Sequence, residues 1–386
     1  MKTTASKTEP GYTMGSLFGY RFLLPKDLCD DLANKVAEDE KTEDAEDAAE
    51  QAEALAEIAA HEFQSAEFEI RELLPSFAVF DSIECRKNWQ RLNEGEAEKN
   101  RLNMLCLEAA QADFGRRNLI ATPLAQVASA LDDLAEDMPN FLDVIEILKG
   151  ELAIAMTGKP ENFHVTPIAM DGVPGIGKTR FAREVANILN VGFDAISMGA
   201  ATGNFELAGV SPGWGNTRPG RLSRLLAEGK TGCPVVLLDE LDKIGSDPRF
   251  PVLPVLLDLL EPDSAKHFRD EGLEVRLDAS KLIILATSNN ADCIPEALQS
   301  RMRMIEIQQP TAEQRRQILD RITQDFEPLG VSFKPEIIAA LAEIDMDLRA
   351  LRRFLRDGAG KALLSGNATV DTAVLPGKTK QSMGFI

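Results

Sequence analysis

The chain has 386 residues, 44% of them hydrophobic and 27% charged, and its formal net charge is −20 at pH 7. These proportions are ordinary for folded soluble domains and exclude collagen-like repeats, wholesale disorder and a bundle of membrane spans. At about 150 residues per domain the length allows two or three domains, and the negative field disfavours phosphate backbones and anionic lipid surfaces as partners.

Cys29, Cys85, Cys106, Cys233 and Cys293 are odd in number and scattered, which reads as reduced thiols in a cytoplasmic protein rather than a disulfide framework. His61, His164 and His267 are dispersed and give no zinc-ligand spacing. The N-terminus lacks the apolar run of a signal peptide. Uninterrupted apolar stretches are too short for a transmembrane helix.

In chain order, residues 1–26 are turn-rich (Pro10-Gly11, Gly15, Gly19, Pro25) and are expected to be ordered only in part. Residues 27–72 carry seventeen acids against Lys35, Lys41 and Arg71, with neither Pro nor Gly after Cys29. Ala and Glu favour helix, yet residues 38–53 have too few large apolar side chains to bury a face. That stretch is a solvated acidic segment or a docking surface for a basic partner. Residues 77–157 read as further helices, with one apolar set at Trp89, Leu92, Leu102, Leu105 and Leu107. A second set is Val127, Leu131, Leu134, Phe141, Val144, Ile145 and Leu148. From Thr166 the pattern changes to short apolar runs (167–170, 235–238, 282–286) alternating with helices, the mark of a buried parallel sheet with crossover connections. Beyond Pro310 it is helical again over 313–326, 335–344 and 347–364, which suggests a small all-α domain.

Gly172, Val173, Pro174, Gly175, Ile176, Gly177, Lys178 and Thr179 match G-x-x-x-x-G-K-[ST], between an apolar run and a helical pattern that opens with Arg180. Glycines let backbone N–H groups wrap phosphates, and the following helix adds its positive end. Lys178 then neutralises β/γ-phosphate oxygens and the Thr179 hydroxyl ligates Mg²⁺. The run 235–238 ends in Asp239 and Glu240. Asp239 is a Mg²⁺ ligand, direct or through water, and Glu240 the group that orients or deprotonates the attacking water. The run 282–286 ends in Thr287, Ser288 and Asn289, whose amide suits a contact to water or γ-phosphate. Arg301 follows a short helical pattern and has the reach of an arginine finger.

At these residues the sequence resembles the AAA+ ATPases, and within them the ATPase module of the Lon protease family. The landmarks are GVPGIGKT (172–179), VVLLDELDKIG (235–245), LLDLLEPDSAKHFRDEGLEV (256–275), LIILATSNN (282–290), IPEALQSRM (294–302) and LRALRRFL (348–355). The resemblance covers roughly residues 140–385. It implies an α/β fold: a P-loop NTPase large domain of parallel sheet flanked by helices (136–308), a small helical lid with a tail (309–386), and ahead of them a helical N-terminal region (27–135). It also implies ATP and Mg²⁺ as cofactors and a homo-oligomer, expected to be a hexamer. Asn289 looks like sensor 1, Arg301 like the finger that acts in the neighbouring subunit, and Arg349 like sensor 2, with Arg352 and Arg353 as nearby rivals. The segment 205–221 resembles the Lon pore loop and places Trp214 where an aromatic grips substrate. Gly215 follows, where the family usually has a bulky aliphatic residue.

Lon proteases add a C-terminal Ser–Lys peptidase domain. After the lid these 386 residues leave no room for one, so the expectation is an ATPase that is not a protease. The first functional reading is a ring that remodels or unfolds a protein partner by ATP hydrolysis. The alternative is a nucleotide-dependent oligomeric switch or scaffold that presents the acidic N-terminal region to a partner. A nucleic-acid motor is disfavoured by the charge and by the lack of a basic, aromatic-bearing segment.

Overall fold

The structure, a computed structural model, describes residues 12–17, 20–25, 75–93, 100–200, 203–211, 217–244, 251–344, 346–366 and 368–370. The acidic stretch 27–72, the pore-loop Trp214 and the tail beyond residue 370 lie outside the described residues. The chain divides into two compact units, residues 1–73 and 74–386.

In the first unit Tyr12–Leu17 and Tyr20–Pro25 pair as an antiparallel hairpin, running from Tyr12 opposite Pro25 to Leu17 opposite Tyr20. The sequence reading contains no strand here. Gly15 and Pro25 read as turn punctuation but lie within strands, where the aromatic and β-branched neighbours Tyr12, Thr13, Tyr20 and Phe22 suit a pleated backbone.

The second unit begins with two helices, α1 (Ser82–Asn93) and α2 (Arg101–Gln111). They are framed by short antiparallel strands, Ser76–Ala78 and Arg116–Asn118. Next come α3 (Leu124–Asp137), which buries Val127, Leu131 and Leu134, and α4 (Leu142–Thr157), which buries Val144, Ile145, Leu148 and Leu152. A five-stranded sheet then alternates with helices: β1 (Ile168–Asp171), α5 (Lys178–Leu189), β2 (Phe193–Ser197), α6 (Arg221–Glu228), β3 (Val235–Asp239), α7 (Val252–Leu260), β4 (Ile283–Ser288) and β5 (Arg303–Glu306). The order across the sheet is β5-β1-β4-β3-β2, and every pairing is parallel. The strands β1, β3 and β4 are buried along nearly their whole length, as strands covered on both faces must be. These are the three runs that the sequence marks. The edge strands β2 and β5 were not marked, because half-exposed edges lack a continuous apolar run.

The helices ahead of the sheet share its core. One apolar cluster extends from Phe77 to Ile307, so packing shows no break at the expected border between residues 135 and 136. Arg117 fastens them. Its buried guanidinium donates to Ala109 O and Ala112 O at the end of α2 and to Leu226 O and Ala227 O at the end of α6. It thereby places donors on carbonyls at the C-terminal ends of the two helices, where helices leave acceptors open. A separate apolar cluster, from Ile318 to Val370, is the core of the lid. Its helices are α8 (Ala312–Gln324), α9 (Pro335–Ala342) and α10 (Leu348–Leu364). Thr311 and Gln314 form a capping box at the start of α8. The lid is not wholly helical, since Ser332–Phe333 and Thr369–Val370 form a two-residue parallel pair. None of the described helices is long and apolar enough to cross a membrane.

Candidate active site

Parallel register sets the site. Ser288 lies opposite Asp171 and Ile283 opposite Val235, so the C-terminal ends of β1, β3 and β4 lie together. The glycine loop, the acidic pair and the polar end of β4 therefore share one edge of the sheet, where open α/β sheets bind ligands.

The loop from Gly172 leads into α5, whose first residues are Lys178, Thr179 and Arg180. Gly175 and Gly177 have φ of +88° and +107°, values that only glycine adopts without strain. Inside the loop the buried Lys178 ammonium donates to Gly172 O, to Val173 O at 3.2 Å and to Asn289 Oδ1 at 3.1 Å. Burial holds Lys178 below the ordinary lysine range. The carboxylates of Asp171, Asp239 and Asp242 pull the other way, and Arg349 adds to the lowering. Asn289 thus meets the loop lysine, and Arg349 is close enough for its charge to act on that lysine. Arg352 instead donates to Asp325 at 3.0 Å, on the lid itself.

At the end of β3 the backbone of Glu240 is left-handed, with φ of +59°. The Glu240 N–H donates to Thr287 Oγ1 at 3.0 Å, and the Thr287 hydroxyl donates to Asp239 Oδ1. The Glu240 carboxylate accepts from Lys243 Nζ at 2.5 Å. Thr287 and Lys243 were not singled out from the sequence, although Thr287 lies in the polar triplet that ends β4. Thr179 lies in the first turn of α5, next to Lys178. Arg301 joins none of these contacts. Its guanidinium donates to Ala297 O at 2.9 Å and lies 3.7 Å from Glu261.

The lid closes over one side. Asp347, which caps α10 by accepting from Ala350 N, packs so close to Gly175 that a Cβ there would lie 2.9 Å from Asp347 Cβ. Arg321 pairs with Asp137 at 2.7 Å, and Gln314 donates to Pro139 O at 3.3 Å. Between α3, the start of α5 and α8 lies a cavity of about 310 Å³, lined by Asp137, Arg180, Ile318, Arg321 and Asp325 among others. A buried cation in a left-handed glycine cradle, beside a hydroxyl and a carboxylate, is a donor set that fits a nucleotide triphosphate with Mg²⁺. The described residues contain no cluster of three or more metal-binding side chains apart from such a ligand.

The sequence pattern of the ATPase family associated with various cellular activities (AAA) matches residues 168–310. The human mitochondrial Lon protease homologue is 37% identical over 150 residues, 39% of this chain and 16% of that protein. Lon protease 2 of Hydrogenovibrio crunogenus is 32% identical over 206 residues, 53% of this chain and 22% of that protein. The matched stretch is thus a minor part of each relative. Among solved structures, a closed-state reconstruction of Hsp104 with ATPγS and FITC casein aligns with a TM-score of 0.51 at 16% identity, over 64% of this chain and 49% of that one. That likeness shows the fold. Taken together with the site's geometry, the matches establish that the chain carries an AAA+ ATPase module that resembles the ATPase region of the Lon proteases.

Proposed function

We propose that this chain binds and hydrolyses ATP with Mg²⁺, and that it uses hydrolysis, as a ring of identical subunits, to remodel a protein partner. The observation that carries the hydrolysis reading is the meeting of Lys178 with Asn289 beside the Thr287-linked pair Asp239 and Glu240. In this reading the loop 172–179 and the start of α5 hold the phosphates, and the cavity beneath the lid takes base and ribose. Thr179 and Asp239 would hold Mg²⁺, which would supply positive charge against the phosphate oxygens. Glu240 polarises the attacking water, Asn289 orients it, and Arg349 reports the γ-phosphate to the lid. Arg301 belongs to the site of the neighbouring subunit; within its own chain it contacts Ala297 and Glu261 rather than the phosphate loop or the acidic pair.

The remodelling part rests on the Lon-like module and on Trp214 as the residue that touches the partner. We assign hydrolysis of ATP, not of peptide bonds, to the described residues: Ser365, a candidate nucleophile by type, donates to Lys361 O at the end of α10. The test uses Glu240→Gln in the full chain. It should bind ATP as tightly as the parent and hydrolyse it at least 100-fold more slowly, whereas Lys178→Ala should lose binding. Mass spectrometry of proteins retained by the Glu240→Gln chain with ATP then looks for a client. Hydrolysis by Glu240→Gln at the parent rate overturns the catalytic assignment. Retention of this chain alone favours a nucleotide switch over remodelling.

A further inference from the structure

We infer that Thr287 is a positioning residue for ATP hydrolysis, its hydroxyl locking the Mg²⁺-ligand carboxylate of Asp239 and the backbone of Glu240 into one arrangement. The inference rests on the hydrolysis reading above.

Thr287 is the fifth residue of β4, a strand buried along its whole length, and is itself 2% exposed. At such a place valine has the same shape and needs no partner, so a buried hydroxyl must be satisfied by specific neighbours. Its two partners are both in the acidic motif. As donor it meets Asp239 Oδ1, and as acceptor it takes the Glu240 N–H at 3.0 Å. Strand register makes this possible, for Ala286 is opposite Leu238, which sets Thr287 level with Asp239.

The consequences differ for the two partners. A donor on one oxygen of Asp239 fixes the carboxylate's rotation and leaves the other oxygen for the metal. The bond to the Glu240 N–H holds a non-glycine residue in the left-handed region, which the backbone resists. That turn decides where the Glu240 side chain leaves the sheet, and so where its carboxylate meets water. Asp239 and Thr287 are 48 residues apart in sequence, so neither motif encodes the link alone. Partners one step removed from a metal typically tune affinity or activity by 10–100-fold.

The experiment compares Thr287→Val, which removes the hydroxyl and keeps the shape, with Thr287→Ser, which keeps the hydroxyl. Steady-state hydrolysis gives kcat and KM. Fluorescence titration with mant-ATP, without and with increasing Mg²⁺, gives nucleotide affinity and the Mg²⁺ concentration at half effect. For Thr287→Val we expect kcat to fall about 10–100-fold and the Mg²⁺ half-effect concentration to rise about 10-fold. Metal-free mant-ATP affinity should stay within about twofold, and Thr287→Ser should restore both kcat and the Mg²⁺ response to within about threefold of the parent. Parent-like kcat and Mg²⁺ response in Thr287→Val overturn the inference. So does a Thr287→Ser chain as impaired as Thr287→Val, since that assigns the effect to packing of the methyl group. Should valine prevent folding, Thr287→Ala against Thr287→Ser makes the same comparison. Undiminished hydrolysis by Glu240→Gln, measured in parallel, sinks the underlying hydrolysis reading and is distinguishable from failure at Thr287.

Discussion

At the scale of single residues, the surroundings of two neighbouring lid arginines, Arg349 and its rival Arg352, differ. Arg349, Arg352 and Arg353 lie within one turn of α10 or just beyond it. Arg352 is committed to an exposed pair with Asp325, a kind of contact that contributes at most about 1 kcal/mol. Arg349 acts on the buried Lys178 through the field in the site. Arg349→Ala should therefore lower kcat for ATP hydrolysis by about 100-fold, the usual cost of losing a charge-stabilising donor. Arg352→Ala should change it by less than about threefold, as expected of a weak surface pair. Steady-state assays of both variants check this, and the reverse ranking would move the sensor role to Arg352.

At the scale of elements, the base of the 209–220 loop is built from three directions. Val210 N donates to Arg218 O at 2.8 Å, and Thr217 Oγ1 donates to Val210 O at 2.8 Å. The fully buried Asn103 of α2 donates to Thr217 Oγ1 at 3.0 Å and to Gly272 O at 2.7 Å. The carboxylate of Asp270, also fully buried, accepts from Gly220 N and Leu273 N, both at 2.8 Å. Burial pushes Asp270 up to about 6, against the pull of those backbone amides. The raised value means that the folded chain holds this proton where the unfolded chain has lost it. The stabilisation from Asp270 is complete below the unfolded value of 3.8 and is lost as pH rises through about 6. The span corresponds to about 3 kcal/mol. Urea unfolding at pH 4 and pH 7 should show Asp270→Asn gaining about that much relative to the parent across the interval. Parallel pH profiles for the two chains would remove Asp270 as the source.

At the scale of the whole molecule, two cores meet over the nucleotide site. The large core ends at Ile307 and the lid core begins at Ile318. Across that division lie the Asp137–Arg321 pair, the Gln314 bond to Pro139 O and the contact of Asp347 with Gly175. The lid thus touches the phosphate loop at Gly175 and the end of α3 at Asp137, while Arg301 faces Ala297 and Glu261 on its own chain. If Arg301 completes a neighbour's site, Arg301→Ala alone should hydrolyse ATP at least 10-fold more slowly. Mixing it with Glu240→Gln should restore part of the rate, because mixed assemblies contain sites with both an intact Glu240 and a neighbour's Arg301. Hydrolysis that is independent of protein concentration, with no recovery on mixing, would place the whole site within one chain.

What the sequence determined by itself is local. The loop 172–179 announces itself because left-handed turns demand glycine and because one lysine and one hydroxyl must follow at fixed spacing. The central strands β1, β3 and β4 announce themselves because burial on both faces demands continuous apolar runs. The carboxylates of Asp239 and Glu240 stand out because nothing apolar in β3 explains them. Tertiary structure decided what depends on register and on closure of the lid. The half-exposed edges β2 and β5 carry no run to read. The two partners of Thr287, the approach of Asp347 to Gly175 and the pairing of Arg352 with Asp325 join residues far apart in the chain. Such contacts are fixed by how parallel strands align and where helices pack, which no short stretch of sequence states.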